Sequence, residues 1–220
     1  MTPDELARVP GVPETTLTDE VVQRLPSSSA PAPWATTCRA LIWLARASGA
    51  APELPVRARA LNVTAGFVTY SHTPVGPYHE VFANVSFLHG RRLCQTVPFM
   101  AVDSDVSLVG GRANWSLPKT TATFDGTVAH GDGWRVAASA RIIGPPLPMR
   151  SNSQVVQRFP DGTVRSATMR MAGRSRAAIV TVDVESEHGL PDWVRPGRHV
   201  GAVVDPMTFE LAAPTLRSAR

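Results

Sequence analysis

One lysine stands alone in this chain of 220 residues. Lysine and arginine together number 22, and Lys119 is the only lysine among them. Arginine stays protonated at any working pH, whereas a lysine amine loses its proton when it is desolvated, and only the neutral amine attacks a carbonyl carbon. The composition therefore makes Lys119 a candidate for Schiff-base formation, although a coding bias toward arginine would leave the same count.

The stretch around Lys119 contains residues suited to lowering its pKa. Pro118 fixes the backbone just before the lysine, the pair Gly110-Gly111 permits an unusual turn, and Trp115 and Leu117 supply apolar surface. Bringing a lysine pKa from about 10.4 to near neutrality requires roughly 5 kcal/mol in favour of the neutral amine. We therefore expect burial or a neighbouring cation to lower the pKa of Lys119.

From Trp34 onward the chain has the pattern of strands joined by turns. Its 20 prolines and 16 glycines are spread along the sequence, and runs of apolar or alternating residues predict about ten strands in a barrel or closed sandwich. The first run remains open between strand and helix, because short apolar runs do not separate the two. These runs are 36–47, 56–60, 66–71, 81–88, 93–102, 122–128, 134–143, 154–159, 163–172 and 177–184.

The first 33 residues have a different character. Thr2-Pro3-Asp4-Glu5 has the pattern of a capping box, and Thr18-Asp19-Glu20 opens a second short helix that runs through Leu25. Residues 26–33 form a Ser/Pro/Ala-rich connector. We therefore divide the chain into an N-terminal helical arm with its linker, 1–33, and a single β domain, 34–220.

Charge, cysteine and histidine content argue against several functional classes. The net charge of +4 comes from scattered arginines, without the basic face and reading elements of a nucleic-acid-binding protein. Cys38 and Cys94 lack the spacing of metal ligands, and the six histidines are dispersed. No signal-peptide pattern or membrane-length apolar run is present. We expect a cytoplasmic protein with no metal and with neither nucleic acid nor membrane as partner.

Two segments resemble the acetoacetate decarboxylase family. The family's catalytic segment has a Gly-Arg pair followed by Pro-Lys-Lys, and Gly111-Arg112 and Pro118-Lys119 stand here in that order and spacing. The segment from Gly76 to Glu80 is similar to the one in which a tyrosine precedes an active-site glutamate by two positions. Thr120 replaces the second family lysine, and Ala65 stands near the place of a further family glutamate.

The resemblance implies a fold and a set of site residues. The expected fold is mainly β with minor α: an antiparallel β-barrel or β-cone around an apolar cavity, with short N-terminal helices, in a homo-oligomer. Lys119 would form the imine and Glu80 would transfer protons, with no cofactor. This lysine chemistry is the family's own, since acetoacetate decarboxylase is the standard example of it. Arg39 falls where the family places an active-site arginine, and the other candidates for substrate binding are Tyr78, Trp115 and Arg112.

Three functions remain open at this stage. The first is a carboxy-lyase that decarboxylates a small β-keto acid of the acetoacetate type through a Schiff base on Lys119. The second is a Schiff-base aldolase or dehydratase of the same superfamily without decarboxylase activity, because an imine also assists aldol chemistry and dehydration. The third is a non-enzymatic barrel that binds a small carbonyl or apolar ligand, with Lys119 as a cation at its mouth.

Overall fold

The chain is mainly β, as predicted. A computed structural model describes residues 2–217, so Met1 and residues 218–220, the outer ends of the segments 1–33 and 34–220, lie outside the described residues. The helices are α1 (Pro3–Ala7), α2 (Asp19–Arg24), α3 (Asp105–Trp115) and α4 (Leu190–Val194), with a 3₁₀ turn at Pro13–Thr15. The strands are β1 (Trp34–Arg46), β2 (Ala60–His72), β3 (Tyr78–His89), β4 (Arg92–Val102), β5 (Lys119–Thr121), β6 (Thr123–Asp125), β7 (Val128–Gly131), β8 (Trp134–Ile142), β9 (Leu147–Arg158), β10 (Val164–Ser186), β11 (Gly197–Leu211) and β12 (Thr215–Leu216).

Two short N-terminal helices form where the sequence predicts them. The Thr2 hydroxyl accepts a hydrogen bond from the backbone N–H of Glu5, whose carboxylate accepts one from the N–H of Thr2, so the capping box is confirmed. Leu6 of α1 and Val21 of α2 are buried. The arm therefore packs on the rest of the chain, while its division from the β domain at residue 33 stays a prediction. No helix among residues 2–217 combines the length and apolar character needed to cross a bilayer.

Seven strands close into a ring in the order β1, β2, β3, β4, β9, β10, β11, with β11 returning to β1. Neighbouring strands run antiparallel except β4 and β9, which are joined by two parallel pairs, Cys94 with Gln154 and Gln95 with Val155. One strand, β10, spans two of the predicted runs and pairs with β9, β11 and β8 along its length. The ring is thus a barrel with one weak seam, compatible with the predicted fold.

Strand β3 is buried on both faces, and this positions the site. Its apolar residues Val81, Ala83 and Val85 lie in a core shared with β1, β2, β7, β8 and α4. The alternate residues face the barrel interior and line its cavity; they are Glu80, Phe82, Asn84 and Ser86. Polar residues that alternate with apolar ones usually mark a solvent face. Here other elements cover the apolar face, so the polar face of β3 lies against the cavity.

Two local predictions are wrong, in addition to the run 122–128, in which a turn with φ 58° at Gly126 separates β6 from β7. The pair Gly110-Gly111 lies inside α3 and makes no turn, because the hydroxyl of Ser104 accepts a hydrogen bond from the Ser107 N–H and starts a helix that continues to Trp115. The run 56–60 is a loop up to β2, which begins at its last residue. In the first case the two glycines suggested a turn although the segment is a capped helix. In the second, the short alternation of apolar and charged residues had no neighbouring strand to pair with.

Candidate active site

The turn from α3 to β5 positions Lys119. Helix α3 ends at Trp115, and Ser116 adopts a left-handed conformation with φ 55°. The N–H of Ser116 bonds to the Arg112 carbonyl at 3.1 Å, which closes the helix in the manner of a left-handed C-cap. Lys119 then begins β5 opposite Met100 of β4. The lysine therefore follows a fixed helix-to-strand turn and not a mobile loop.

The side chain of Lys119 runs along one face of α3. A Cβ atom on Gly111 would lie 2.6 Å from Cδ and 2.7 Å from Cε of Lys119, so the absence of a side chain there makes room for the lysine stem. Ser107 lies one turn earlier on the same helix face, and its hydroxyl accepts a hydrogen bond from Nζ at 2.9 Å. Gly110 makes room for the indole of Trp34 in the same way. The Gly-Gly pair is thus a packing requirement.

Three side-chain oxygens surround the Lys119 ammonium group. Nζ lies 2.8 Å from Oε2 of Glu80, 2.9 Å from the Ser107 hydroxyl and 3.3 Å from the Tyr78 hydroxyl. These partners match the three N–H donors of an ammonium ion. The other carboxylate oxygen of Glu80 accepts a hydrogen bond from the hydroxyl of Tyr70 at 3.2 Å. Lys119 is 2% exposed and Glu80 4%, so this network is shielded from water.

The pKa of Lys119 is raised, contrary to the expectation from the sequence. Burial lowers this pKa, but the negative charge of Glu80 and the contacts of Nζ with Glu80 and Tyr78 outweigh burial. The sequence shows the apolar neighbours of the lysine but not the carboxylate that the fold brings from 39 positions away. Lys119 therefore rests as an ammonium ion paired with Glu80.

Two tyrosines complete the polar network as neutral phenols. The rings of Tyr70 and Tyr78 stack with centroids 4.4 Å apart. Burial raises the pKa of both hydroxyls, and the charge of Glu80 raises them further, while Lys119 opposes the rise for Tyr78. Each phenol therefore keeps its proton and can donate it in a hydrogen bond.

Arg112 and Trp115 support the site from outside the cavity. The fully buried Arg112 guanidinium donates to the carbonyls of Lys119 at 2.6 Å, Leu6 at 2.7 Å and Thr15 at 2.6 Å. Burial lowers its pKa to about 10. The indole of Trp115 packs edge-on against Trp34 and donates to a backbone carbonyl. Neither residue lines the cavity, so both act on Lys119 through the backbone or through packing.

Arg39 lies away from this network. Its neighbours Cys38 and Ala40 are buried in a cluster with Tyr70 and Tyr78, whereas Arg39 is exposed on the opposite face of β1. The spacing that suggested a role for Arg39 did not specify the face of the strand. Ala65 is likewise buried in the core on the side of the sheet away from the cavity.

A cavity of about 330 Å³ occupies the barrel interior next to Glu80. Tyr70 and Glu80 line it, and Lys119 lies directly behind them. Glu80 is the only charged residue among the described residues that line this cavity. A larger open groove of about 720 Å³ lies on the outer surface around Arg150 and Arg170 and does not reach the lysine network, so volume alone does not locate the site.

Ser107 and Tyr70 are the two contacts that the sequence analysis missed. Ser107 stands four residues before Gly111, a spacing that would have placed both on one helix face if Ser104-Asp105 had been taken as a helix start. Tyr70 lies within a correctly predicted strand run, but nothing in the sequence indicates which strand face meets the lysine.

The central part of the chain matches a known family. Residues 52–147, which include Glu80, Ser107 and Lys119, match the family model described as acetoacetate decarboxylase. The resemblance to the acetoacetate decarboxylase family is confirmed. The match does not extend to Arg39, and no curated protein sequence matches the chain.

Solved structures of acetoacetate decarboxylases and related enzymes have the same fold. The enduracididine biosynthesis enzyme MppR complexed with pyruvate is 15% identical with a TM-score of 0.64, covering 86% of this chain and 91% of that chain. The acetoacetate decarboxylase from Legionella pneumophila is 14% identical with a TM-score of 0.56, covering 89% and 91%. A further acetoacetate decarboxylase structure is 12% identical with a TM-score of 0.58, covering 91% and 98%. At these identities the likeness establishes the acetoacetate decarboxylase-like fold alone.

Proposed function

We propose that this protein is an imine-forming enzyme that decarboxylates a small β-keto acid, with Lys119 as the nucleophile and Glu80 as the group that transfers protons. The observation that carries the proposal is the buried contact of 2.8 Å between Lys119 Nζ and Glu80, beside a cavity whose other described lining residues are uncharged. A lysine amine in such surroundings has an acceptor for its proton and a place for a carbonyl substrate.

Imine formation begins with proton transfer within the ion pair. The proton moves from Nζ to Glu80, which leaves a neutral amine and a neutral acid, so the buried pair carries no net charge before or after the transfer. The amine attacks the ketone carbon, and the carbinolamine loses water as Glu80 returns the proton. The product is a protonated imine beside the Glu80 carboxylate. The charge that raises the pKa of Lys119 therefore also stabilises the iminium ion.

The cavity favours loss of carbon dioxide from this imine. No arginine, lysine or histidine is found among the described lining residues, so the substrate carboxylate lacks a cationic anchor apart from the iminium itself. A carboxylate held in apolar surroundings near Glu80 is destabilised relative to carbon dioxide. The electrons of the broken carbon–carbon bond pass to the iminium and give an enamine. Glu80 then delivers a solvent proton to the enamine carbon, and water releases the ketone and regenerates Lys119.

Two other functions have a specific observation in their favour. A structure of MppR holds the condensation product of pyruvate and imidazole 4-carboxaldehyde, which favours aldol-type chemistry on this fold. The raised pKa of Lys119 favours a binding barrel in which the lysine remains a fixed cation. We place decarboxylation first because a pyruvate-like substrate keeps its carboxylate and would need a cation to hold it, whereas a decarboxylase does not.

Reductive trapping tests the proposal. The protein is incubated with acetoacetate or pyruvate, treated with borohydride and mapped by peptide mass; we expect an adduct at Lys119 and release of carbon dioxide from acetoacetate. The Lys119→Arg variant is the matched control, because arginine keeps the charge and forms no imine under these conditions. An adduct with pyruvate but no release of carbon dioxide favours the aldol function. The absence of any adduct at Lys119 favours the binding barrel.

The cytoplasmic location and the homo-oligomeric state stay predictions. Exposed apolar side chains, including Leu147 at 61% and Val200 at 63%, support association between copies. Light scattering on the purified protein measures the oligomer directly, and a monomer at micromolar concentration contradicts this part of the proposal.

A further inference from the structure

Asn84 is a buried residue whose amide oxygen has no hydrogen-bonding partner among residues 2–217. The residue is 6% exposed and lines the cavity from β3, and its Oδ1 atom accepts no hydrogen bond from any described residue. Leaving a buried acceptor unpaired costs free energy, so native proteins contain few such groups. Because the Asn84 side chain lines the cavity, rotation of its amide group would turn this unpaired oxygen toward a ligand that supplies the donor.

Other polar side chains gather around Asn84. Thr64 lies directly opposite it on β2, and Asn62 lies opposite Ser86. The Asn62 amide donates to the Thr64 hydroxyl at 3.3 Å, and neither of these residues donates to the Asn84 oxygen. We call this group the polar end of the cavity; it consists of Asn62, Thr64, Asn84, Ser86, Gln95 and Ser153.

The polar end is separated from the lysine network by an apolar stretch. Asn84 follows Glu80 by four residues on the same strand, so their Cα atoms lie about 13 Å apart at the usual rise of a β-strand. Phe82 lies between them on the same face and also lines the cavity. The cavity therefore has a reactive end at Glu80, an apolar middle and an uncharged polar end.

We propose that the polar end is a second subsite, in which Asn84 binds the far end of the substrate through an N–H or O–H donor. This inference rests on the proposed imine function and names its substrate class: a keto acid with a short apolar linker and an uncharged polar terminus such as a primary amide. A charged terminus is excluded, because the described residues of the polar end include no charge to pair with it.

A pair of methyl ketones of matched length tests the subsite. 6-Oxoheptanamide ends in a primary amide, and 2-heptanone ends in a methyl group. We expect borohydride trapping at Lys119 to be about tenfold or more efficient with the amide, and the Asn84→Leu variant to lose this preference. Asn152→Leu, an exposed asparagine on the outer face of β9, is the control and keeps it. Equal trapping of both ketones by the wild-type protein overturns the proposal.

The stability of the same variants separates ligand binding from a structural role. Asn84→Leu replaces an unpaired buried amide with an apolar side chain, so we expect Tm to rise by a few degrees. If Asn84 had only a structural role, its replacement by leucine would lower Tm. A lower Tm together with an unchanged ketone preference overturns the proposal. If Asn84→Leu does not fold, Asn84→Ser is measured in its place.

A ligand without a ketone keeps the two hypotheses apart. Hexanamide cannot form an imine with Lys119, so its binding, measured by calorimetry, does not depend on the proposed reaction. We expect it to bind the wild-type protein and to bind Asn84→Leu about tenfold more weakly or worse. If no ketone is trapped but hexanamide shows this difference, the imine function fails and the subsite stands. Equal binding to both proteins, or no binding at millimolar concentration, overturns the subsite.

Discussion

Replacing Glu80 with glutamine tests the charge pair at the centre of the site. The Glu80→Gln variant keeps the shape of the side chain but removes the charge that raises the pKa of Lys119. Of the groups that oppose burial only Tyr78 then keeps its effect, and burial, the largest influence on this pKa, lowers the pKa of an ammonium group. The variant must therefore either hold an unpaired buried ammonium or release its proton.

The expected cost follows from the burial of the pair. The side chains of Lys119 and Glu80 are 3% and 5% exposed, so solvent screens their interaction only weakly. Removing one partner of such a pair costs about 3–5 kcal/mol. We expect the free energy of unfolding of Glu80→Gln to be lower than that of the wild type by about this amount at neutral pH.

Between neutrality and pH 9, the Lys119 charge should make the stability depend on pH in the variant but not in the wild type. In Glu80→Gln the native state releases the Lys119 proton as the pH rises toward 9, while the unfolded chain, with its ordinary pKa of 10.5, keeps it. The stability of the variant therefore rises, by up to about 1.4 kcal/mol per pH unit. In the wild type the raised pKa keeps Lys119 protonated in both states over this range. Its contribution is lost only above 10.5, as the pH passes through the folded-state pKa.

Urea denaturation at several pH values between neutrality and pH 9 measures both effects. Glu185→Gln is the matched control, because Glu185 pairs with Arg135 at 3.7 Å on the surface with its side chain 70% exposed. We expect that control to change stability by less than about 1 kcal/mol and to show no rise with pH. A Glu80→Gln variant as stable as the wild type, or one that loses stability as the pH rises toward 9, would refute the account of the Lys119 charge.

Three further predictions concern packing, hydrogen bonding and pH. Gly111→Ala places a methyl group 2.6 Å from the Lys119 side chain, so we expect borohydride trapping of a ketone at Lys119 to be at least tenfold weaker. In the control Gly49→Ala the new methyl group meets nothing within 4 Å, and trapping should equal that of the wild type. Equal trapping by the two variants contradicts the packing argument. In Arg112→Lys the lysine side chain cannot reach three separate carbonyls, so we expect the free energy of unfolding to fall by about 3 kcal/mol or more and the N-terminal arm to be cleaved faster by protease. An arm as resistant as that of the wild type contradicts the proposed role of Arg112. Burial raises the pKa of Cys38 from 9.0 to about 12, so the contribution of this thiol to stability is complete below pH 9 and is lost as the pH rises toward 12. Between pH 8 and pH 11, the free energy of unfolding should therefore fall less in Cys38→Ala than in the wild type. An equal fall in both proteins refutes this assignment.

The sequence predicted those features that depend on near neighbours in the chain. The capping box at Thr2 involves residues three positions apart, so local geometry determines it. The alternation in β3 was visible for the same reason. Lys119 stood out as a candidate because it is the only lysine in the chain and because lysine is the residue type that forms imines.

The faces of the strands required the tertiary structure. Arg39 lies on the outer face of β1, while the polar residues of β3 face the cavity, because the closure of the ring and the packing of β8 and α4 decide which side is inside. A period of two residues separates the two faces of a strand but does not say which one is buried on the cavity side.

By itself, then, the sequence determined the fold class and the N-terminal helices, and it singled out Lys119 as the candidate nucleophile, a role that stays a proposal. Only the tertiary structure brought Glu80 to that lysine across 39 positions and placed Ser107 beside it on a helix hidden by two glycines. It also decided the charge of Lys119. The pKa of a buried amine depends on the balance between desolvation and the nearest opposite charge, and that balance is set by distances that the order of residues does not contain.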